Sequence, residues 1–167
     1  TPVITKIHLQ PFWDEEYTQL EYIQEPFNDT ESVVKWTSQG YPDKFTGHMC
    51  DMRSSQPSWN QRIIDIFSSK GWKDIGTSYY RMDTGTVLPN HSDLYKKYVD
   101  LFDLEGKEHT IYRAILFLED WKPGHYAEYN YQPFVYWRIG DCVIWQYDAP
   151  HMAANLGLNP RYTLQIT

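Results

Sequence analysis

From residue 74 to its end the chain is cut into short runs by turn residues, and this texture limits the fold more than any other feature. The runs at 74–82, 87–93, 110–118, 126–131, 134–139, 142–147, 151–155 and 162–167 are rich in apolar, β-branched and aromatic residues. Between them stand Pro123-Gly124, Gly140-Asp141, Ala149-Pro150 and the Gly-Pro-containing stretch 157–160. Runs this short give no room for crossover helices between parallel strands, so the spacing predicts an antiparallel sandwich or jelly roll. An aromatic content of 17%, with 14 Tyr and 7 Trp, suits strand faces and a β-rich core.

The first 71 residues read differently. A strand is expected over 3–9, an acidic helix within 13–24, and a second short helix over 31–38 with Thr30 as its N-cap. The stretch 40–57 is rich in Gly, Pro, Ser and Asp and reads as loop. Ile63, Ile64, Ile66 and Phe67 give 60–70 the spacing of an amphipathic helix, with Gly71 as its stop. A long charged connection, 94–109, reads as partly helical, and 96–107 within it is a candidate lid. There is no repeat and no linker. The expectation is one domain over 1–167, with 1–71 as mixed N-terminal support and 72–167 as the β core.

Several function classes fall away. Low mean hydropathy and the lack of a long apolar run argue against a membrane span. The opening Thr1-Pro2-Val3-Ile4-Thr5-Lys6 has no apolar signal region, although a removed leader stays open. Two distant cysteines, Cys50 and Cys142, fit free thiols in a reducing, cytoplasmic compartment, with Cys142 buried. The net charge of −7 and scattered Lys and Arg argue against nucleic acid, Lys96-Lys97 being the sole adjacent basic pair. No Ser-His-Asp or Cys-His arrangement for a nucleophile is visible.

What stands out is a set of metal-ligating types. In His91-Ser92-Asp93, period-2 alternation points an imidazole and a carboxylate to one face of a strand. His151, after Ala149-Pro150, begins another strand. Arg161 starts the last strand, with Thr163 on the same face. Two histidines and a carboxylate can hold a metal facially and leave positions open. Arg113, alternating with Ile111, Ile115 and Phe117, places a cation on an apolar face and asks for an anionic partner. His48, Cys50 and Asp51 form a tempting second cluster, which is rejected because extended backbone does not bring all three to one face.

On these residues the chain resembles the 2-oxoglutarate/Fe(II)-dependent dioxygenase superfamily over about residues 78–167. The likeness rests on the segment from Gly85 through His91-Ser92-Asp93, the run 113–118, Trp137-Arg138-Ile139-Gly140-Asp141, Pro150-His151 and Arg161-Tyr162-Thr163. Within it there is some likeness to the aspartyl/asparaginyl β-hydroxylase and prolyl-hydroxylase branches. The former usually lacks the metal carboxylate that Asp93 supplies here, and residues 1–70 carry no resemblance.

The resemblance implies a mainly β, cupin-like double-stranded β-helix (jelly roll) with a few N-terminal helices packed outside. It implies Fe(II) on His91, Asp93 and His151. It also implies 2-oxoglutarate held by Arg161 and Thr163, with Arg113 and Tyr80 as further contacts and ascorbate as a reductant. The reaction expected is hydroxylation of a small-molecule or peptidyl substrate with molecular oxygen, releasing succinate and CO2. Arg81, Tyr126, Asn155 and Trp137 are weaker candidates for the substrate wall. Two other readings stay open: a cupin-type isomerase or hydrolase on Zn2+, Mn2+ or Ni2+, and a non-catalytic aromatic-rich binding module.

Overall fold

The computed structural model describes residues 4–45, 47–50, 52 and 55–167. Among them are eleven strands: β1 (Ile4–His8), β2 (Tyr22–Gln24), β3 (His48–Cys50), β4 (Thr77–Met82), β5 (Val87–His91), β6 (Tyr112–Phe117), β7 (His125–Tyr129), β8 (Gln132–Phe134), β9 (Asp141–Gln146), β10 (His151–Asn155) and β11 (Arg161–Ile166). Three α-helices join them: α1 (Thr30–Ser38), α2 (Asn60–Ser69) and α3 (Lys96–Phe102). The large sheet has the order β1-β9-β6-β11-β4-β3-β2 and the small one β5-β10-β7-β8. Every pairing is antiparallel. From β4 onward, successive strands divide between the two sheets in the manner of a jelly roll, as the spacing predicts.

Two cores result. On the outer face of the large sheet, Ile63 and Phe67 of α2 join Tyr79, Leu116, Leu164 and Ile166. Between the sheets, Phe117, Trp137, Tyr129 and Trp145 pack with Ala127 and Val143. Alternation along each strand creates both: on β11, Leu164 and Ile166 face the helix while Arg161 and Thr163 face the space between the sheets. The closed end is fastened by Gly124 and Gly157, where a Cβ on either would drive into the other's segment. Cys50 and Cys142 are both buried, and burial pushes the Cys142 thiol up to about 12. No helix among the described residues is long and apolar enough to cross a membrane.

The N-terminal part departs from its reading in three places. The helix expected within 13–24 is a short 3-10 turn at Glu15–Gln19 followed by β2. Asp14 caps the turn by accepting from the Glu16 amide, and Leu20 then leaves it in extended conformation. Pairing of β2 to β3, and of β3 to β4, decides the backbone there, and local composition carries no trace of such long-range partners. The loop expected over 40–57 therefore contains β3. Helix α1 is capped by Asp29 rather than Thr30, which is its first residue. In the C-terminal part the strand expected over 134–139 ends at Phe134. Tyr136 takes a left-handed φ of 58° there, which extended pairing does not accommodate. Val3, Asp51 and Thr46 lie outside the described residues.

Candidate metal centre

The register of the small sheet creates the site. His151 on β10 lies directly opposite His91 at the end of β5, and their rings sit 4.4 Å apart. Each imidazole is fixed by the same local device. His91 Nδ1 donates to the Pro89 carbonyl at 2.8 Å, and His151 Nδ1 donates to the Ala149 carbonyl at 3.0 Å. A carbonyl only accepts, so Nδ1 of each ring carries a proton and Nε2 of each ring faces inward. This is the outer hydrogen bond that metal-binding histidines use to fix tautomer and orientation.

Asp93 meets both. Its Oδ1 is 3.3 Å from His91 Nε2 and its Oδ2 is 3.4 Å from His151 Nε2. Asp93 lies two residues beyond the end of β5, so convergence does not come from strand alternation alone. The chain bends after His91, with Ser92 Oγ donating to the Asp148 carbonyl. Among the described residues these three form the one group of His, Cys, Asp or Glu side chains placed to hold a metal, with ligand atoms within 4.8 Å of one another. Two ligands each about 2.1 Å from one ion at right angles stand about 3.0 Å apart, close to the two separations between Asp93 and the histidines. Two imidazoles and a carboxylate suit Fe(II) and its divalent neighbours.

The surrounding residues explain the rigidity of the group. Phe27 and Trp36, the latter on α1, set their rings against His91 at 5.2 and 6.0 Å, so the N-terminal segment walls the site. Trp145 lies 4.8 Å from His151. Burial pushes the Asp93 carboxyl up, but His151 and Arg113 outweigh it and hold the group well below the usual carboxylate range. Arg113 Nη1 donates to Asp93 Oδ2 at 2.9 Å, its Nε donates to Thr167 Oγ1 at 3.0 Å, and its guanidinium lies 4.3 Å over the Tyr95 ring. The anionic partner that Arg113 requires is thus Asp93 itself.

A cavity of about 510 Å³ opens from the triad between the sheets. Arg161 enters it from β11 with 8% of its surface exposed, and its Nε and Nη1 have no hydrogen-bond partner among the described residues. Burial lowers its affinity for its proton from the ordinary guanidinium value, and Tyr129 offsets this in part. Thr163 Oγ1, two residues on, is also buried and unpartnered. Tyr80, whose Cα pairs with Thr163, lines the same cavity. An unpaired buried cation beside an unpaired buried hydroxyl is a costly arrangement for a protein alone, and an anionic ligand resolves it.

Four expected substrate residues lie elsewhere. Arg81 follows Tyr80 on β4 and therefore points to the opposite face, where it pairs with Asp83 at 2.9 Å and covers the Tyr22 ring. Tyr126 neighbours the inward-facing Ala127 on β7, so it too points outward, toward Glu128. Trp137 belongs to the inter-sheet core, stacked 4.1 Å from Phe117. Asn155 is wholly buried at the closed end, donating to the Met82 and Asn159 carbonyls and accepting from the Gly157 amide. It clamps the loop between β10 and β11. Tyr95, Tyr129 and Trp145 line the cavity instead. Register reveals one of them, because Tyr129 shares a face with His151, its partner across the strands.

A solved prolyl-4-hydroxylase from Pseudomonas putida superimposes on 98% of this chain and 90% of its own, with a TM-score of 0.58 and 12% identity. The fold is prolyl-4-hydroxylase-like. The plu4264 protein of Photorhabdus luminescens overlaps with 57% of this chain and 66% of its own length, at a TM-score of 0.39 and 14% identity. No family model and no curated protein matches the sequence. The likeness to the prolyl-4-hydroxylase in fold thus reaches into residues 1–70, where the sequence carries no resemblance of its own.

Proposed function

We propose that this chain is a non-haem Fe(II)- and 2-oxoglutarate-dependent oxygenase that hydroxylates a C–H bond of a small-molecule or peptidyl substrate. The observation that carries the reading is the pairing of two features in one cavity: the inward Nε2, Oδ and Nε2 set of His91, Asp93 and His151, and the unpartnered guanidinium of Arg161 beside Thr163. When bound, iron and 2-oxoglutarate supply an oxidant able to attack a C–H bond, with oxygen consumed and succinate and CO2 released.

The protein's own part is positional. His91, Asp93 and His151 hold the metal on one side and leave the other open. Arg161 receives the far carboxylate of 2-oxoglutarate with its planar fork, and Thr163 donates its hydroxyl to the same group. Tyr80 and Tyr129 close the wall around that carboxylate and exclude water, which strengthens the ionic contact. Arg113 does not share this role: it orients Asp93. The whole of residues 1–167 acts as one domain, with α1 and the segment before it forming the wall behind His91.

The cupin-type isomerase or hydrolase reading accounts for the triad but gives Arg161 nothing to do. The non-catalytic binding module accounts for neither. The test is succinate formation from 2-oxoglutarate by the full chain with Fe(II) and oxygen, beside His151→Ala. Succinate that depends on His151, Fe(II) and oxygen supports the oxygenase. A folded protein that binds a divalent metal yet consumes no 2-oxoglutarate moves the cupin-type reading to the front.

A further inference from the structure

Arg161 and Thr163 account for one pair of unpartnered donors in the cavity, and a second pair stands elsewhere in it. The Tyr95 hydroxyl and the Trp145 indole N–H are both buried, with 5% and 1% of their residue surface exposed, and both line the cavity; they approach each other, but neither makes a hydrogen bond of full geometry among the described residues. The pairs occupy different levels of the large sheet. Trp145 lies opposite Arg113, whereas Thr163 lies opposite Phe117, four residues farther along β6, or about 13 Å at the rise of a strand. Arg161 is deeper still. Trp145 packs against His151, and Tyr95 follows Asp93 by two residues, so this pair borders the triad on its outer side.

Tyr95 is held there against its own preference. Its φ of 56° is left-handed, a conformation that aromatic residues rarely adopt, and the Arg113 guanidinium lies over its ring, 4.3 Å from the ring centre. The next two residues are Lys96 and Lys97, the sole adjacent basic pair in a chain of net charge −7, and both line the cavity mouth. Beside them the wall is apolar: Leu94 and Leu101 are 53% and 75% exposed and line the same opening. Buried donors, flanking cations and an apolar rim select for one chemistry, an anionic oxygen acceptor on an apolar body.

We infer that Tyr95 and Trp145 form a carboxylate subsite for the substrate to be oxidised, and that this substrate is a small apolar carboxylic acid. The inference rests on the oxygenase reading above, which assigns the other donor pair to 2-oxoglutarate. Lys96 and Lys97 draw the acid to the mouth, and the two donors fix its carboxylate next to the open side of the triad.

The test uses full-length protein loaded with Zn2+ as a diamagnetic stand-in and saturated with 2-oxoglutarate, whose binding is followed separately by calorimetry. Indole N–H resonances are recorded by NMR, and that of Trp145 is assigned with Trp145→Phe. Phenylacetate and hexanoate are titrated against phenylacetamide and hexanamide. The expected result is a saturable downfield shift of the Trp145 resonance with at least one acid, its amide needing about tenfold more, and a similar weakening in Tyr95→Phe. Three results would overturn the subsite: 2-oxoglutarate alone carries the resonance to its end point, acids and amides act alike, or no compound moves it. Failure of 2-oxoglutarate to bind in calorimetry counts instead against the oxygenase reading, and the acids still test the donor pair on the Zn2+-loaded protein.

Discussion

Two arginines face the same cavity from neighbouring strands of one sheet, and they differ in almost everything except burial. Arg113 on β6 is fully engaged, with Asp93, Thr167 and the Tyr95 ring around it. Arg161 on β11 has two buried nitrogens with no partner. The engaged cation belongs to the architecture of the site, and the unengaged one has a ligand's place in front of it. A sequence shows both as a basic residue interrupting an apolar face. What separates them is whether an acid from another part of the chain reaches them, and only the fold decides that.

The largest effect expected from this contrast is on stability. Arg113→Met leaves the buried Asp93 carboxylate without its guanidinium, a loss of about 3 kcal/mol or more, measured as a lower urea midpoint of the metal-free protein. Arg161→Met removes a cation that nothing compensates, so the same measurement gives an unchanged or slightly higher midpoint, by about 1 kcal/mol. Equal destabilisation by both would break the contrast. Next in size is 2-oxoglutarate affinity on the metal-loaded protein. Arg161→Met weakens it about a hundredfold, the loss of two charge-assisted hydrogen bonds, by calorimetric titration. Thr163→Val weakens the same affinity about tenfold, through the single hydroxyl it removes. The smallest effect is at Thr167→Val, which deprives Arg113 Nε of its acceptor. It lowers stability by about 1 kcal/mol in urea and leaves the 2-oxoglutarate titration at its wild-type value.

Much of this was legible in the sequence where the signal is local. The turn residues between 74 and 167 mark out the jelly roll, β10 has the bounds expected of it, and α2 with its stop at Gly71 follows from the spacing of Ile63, Ile66 and Phe67. His91, Asp93 and His151 converge as their types suggest, although Asp93 gets there by a bend and not by strand alternation. The face assignments follow from strand alternation alone. Tyr80 and Arg81 are adjacent on one strand and cannot both face the cavity, and Tyr126 fails in the same way beside Ala127. What the sequence does not carry is partnership at a distance. β2 and β3 exist because each finds an edge to pair with, and Asp29 rather than Thr30 caps α1 because its carboxylate reaches the Ser32 amide. Tyr95 is in the site because Arg113, eighteen positions later in the numbering, lies on its ring.

The central claim is that the triad and Arg161 together form one site for Fe(II) and 2-oxoglutarate. The most direct measurement is the visible spectrum of metal-free protein under anaerobic conditions, as Fe(II) and then 2-oxoglutarate are added. The account predicts a weak charge-transfer band that neither component gives alone, absent in His91→Ala and requiring about a hundredfold more 2-oxoglutarate in Arg161→Met. A folded wild-type protein that gives no band, or an Arg161→Met protein that gives it at the wild-type concentration, would contradict the account.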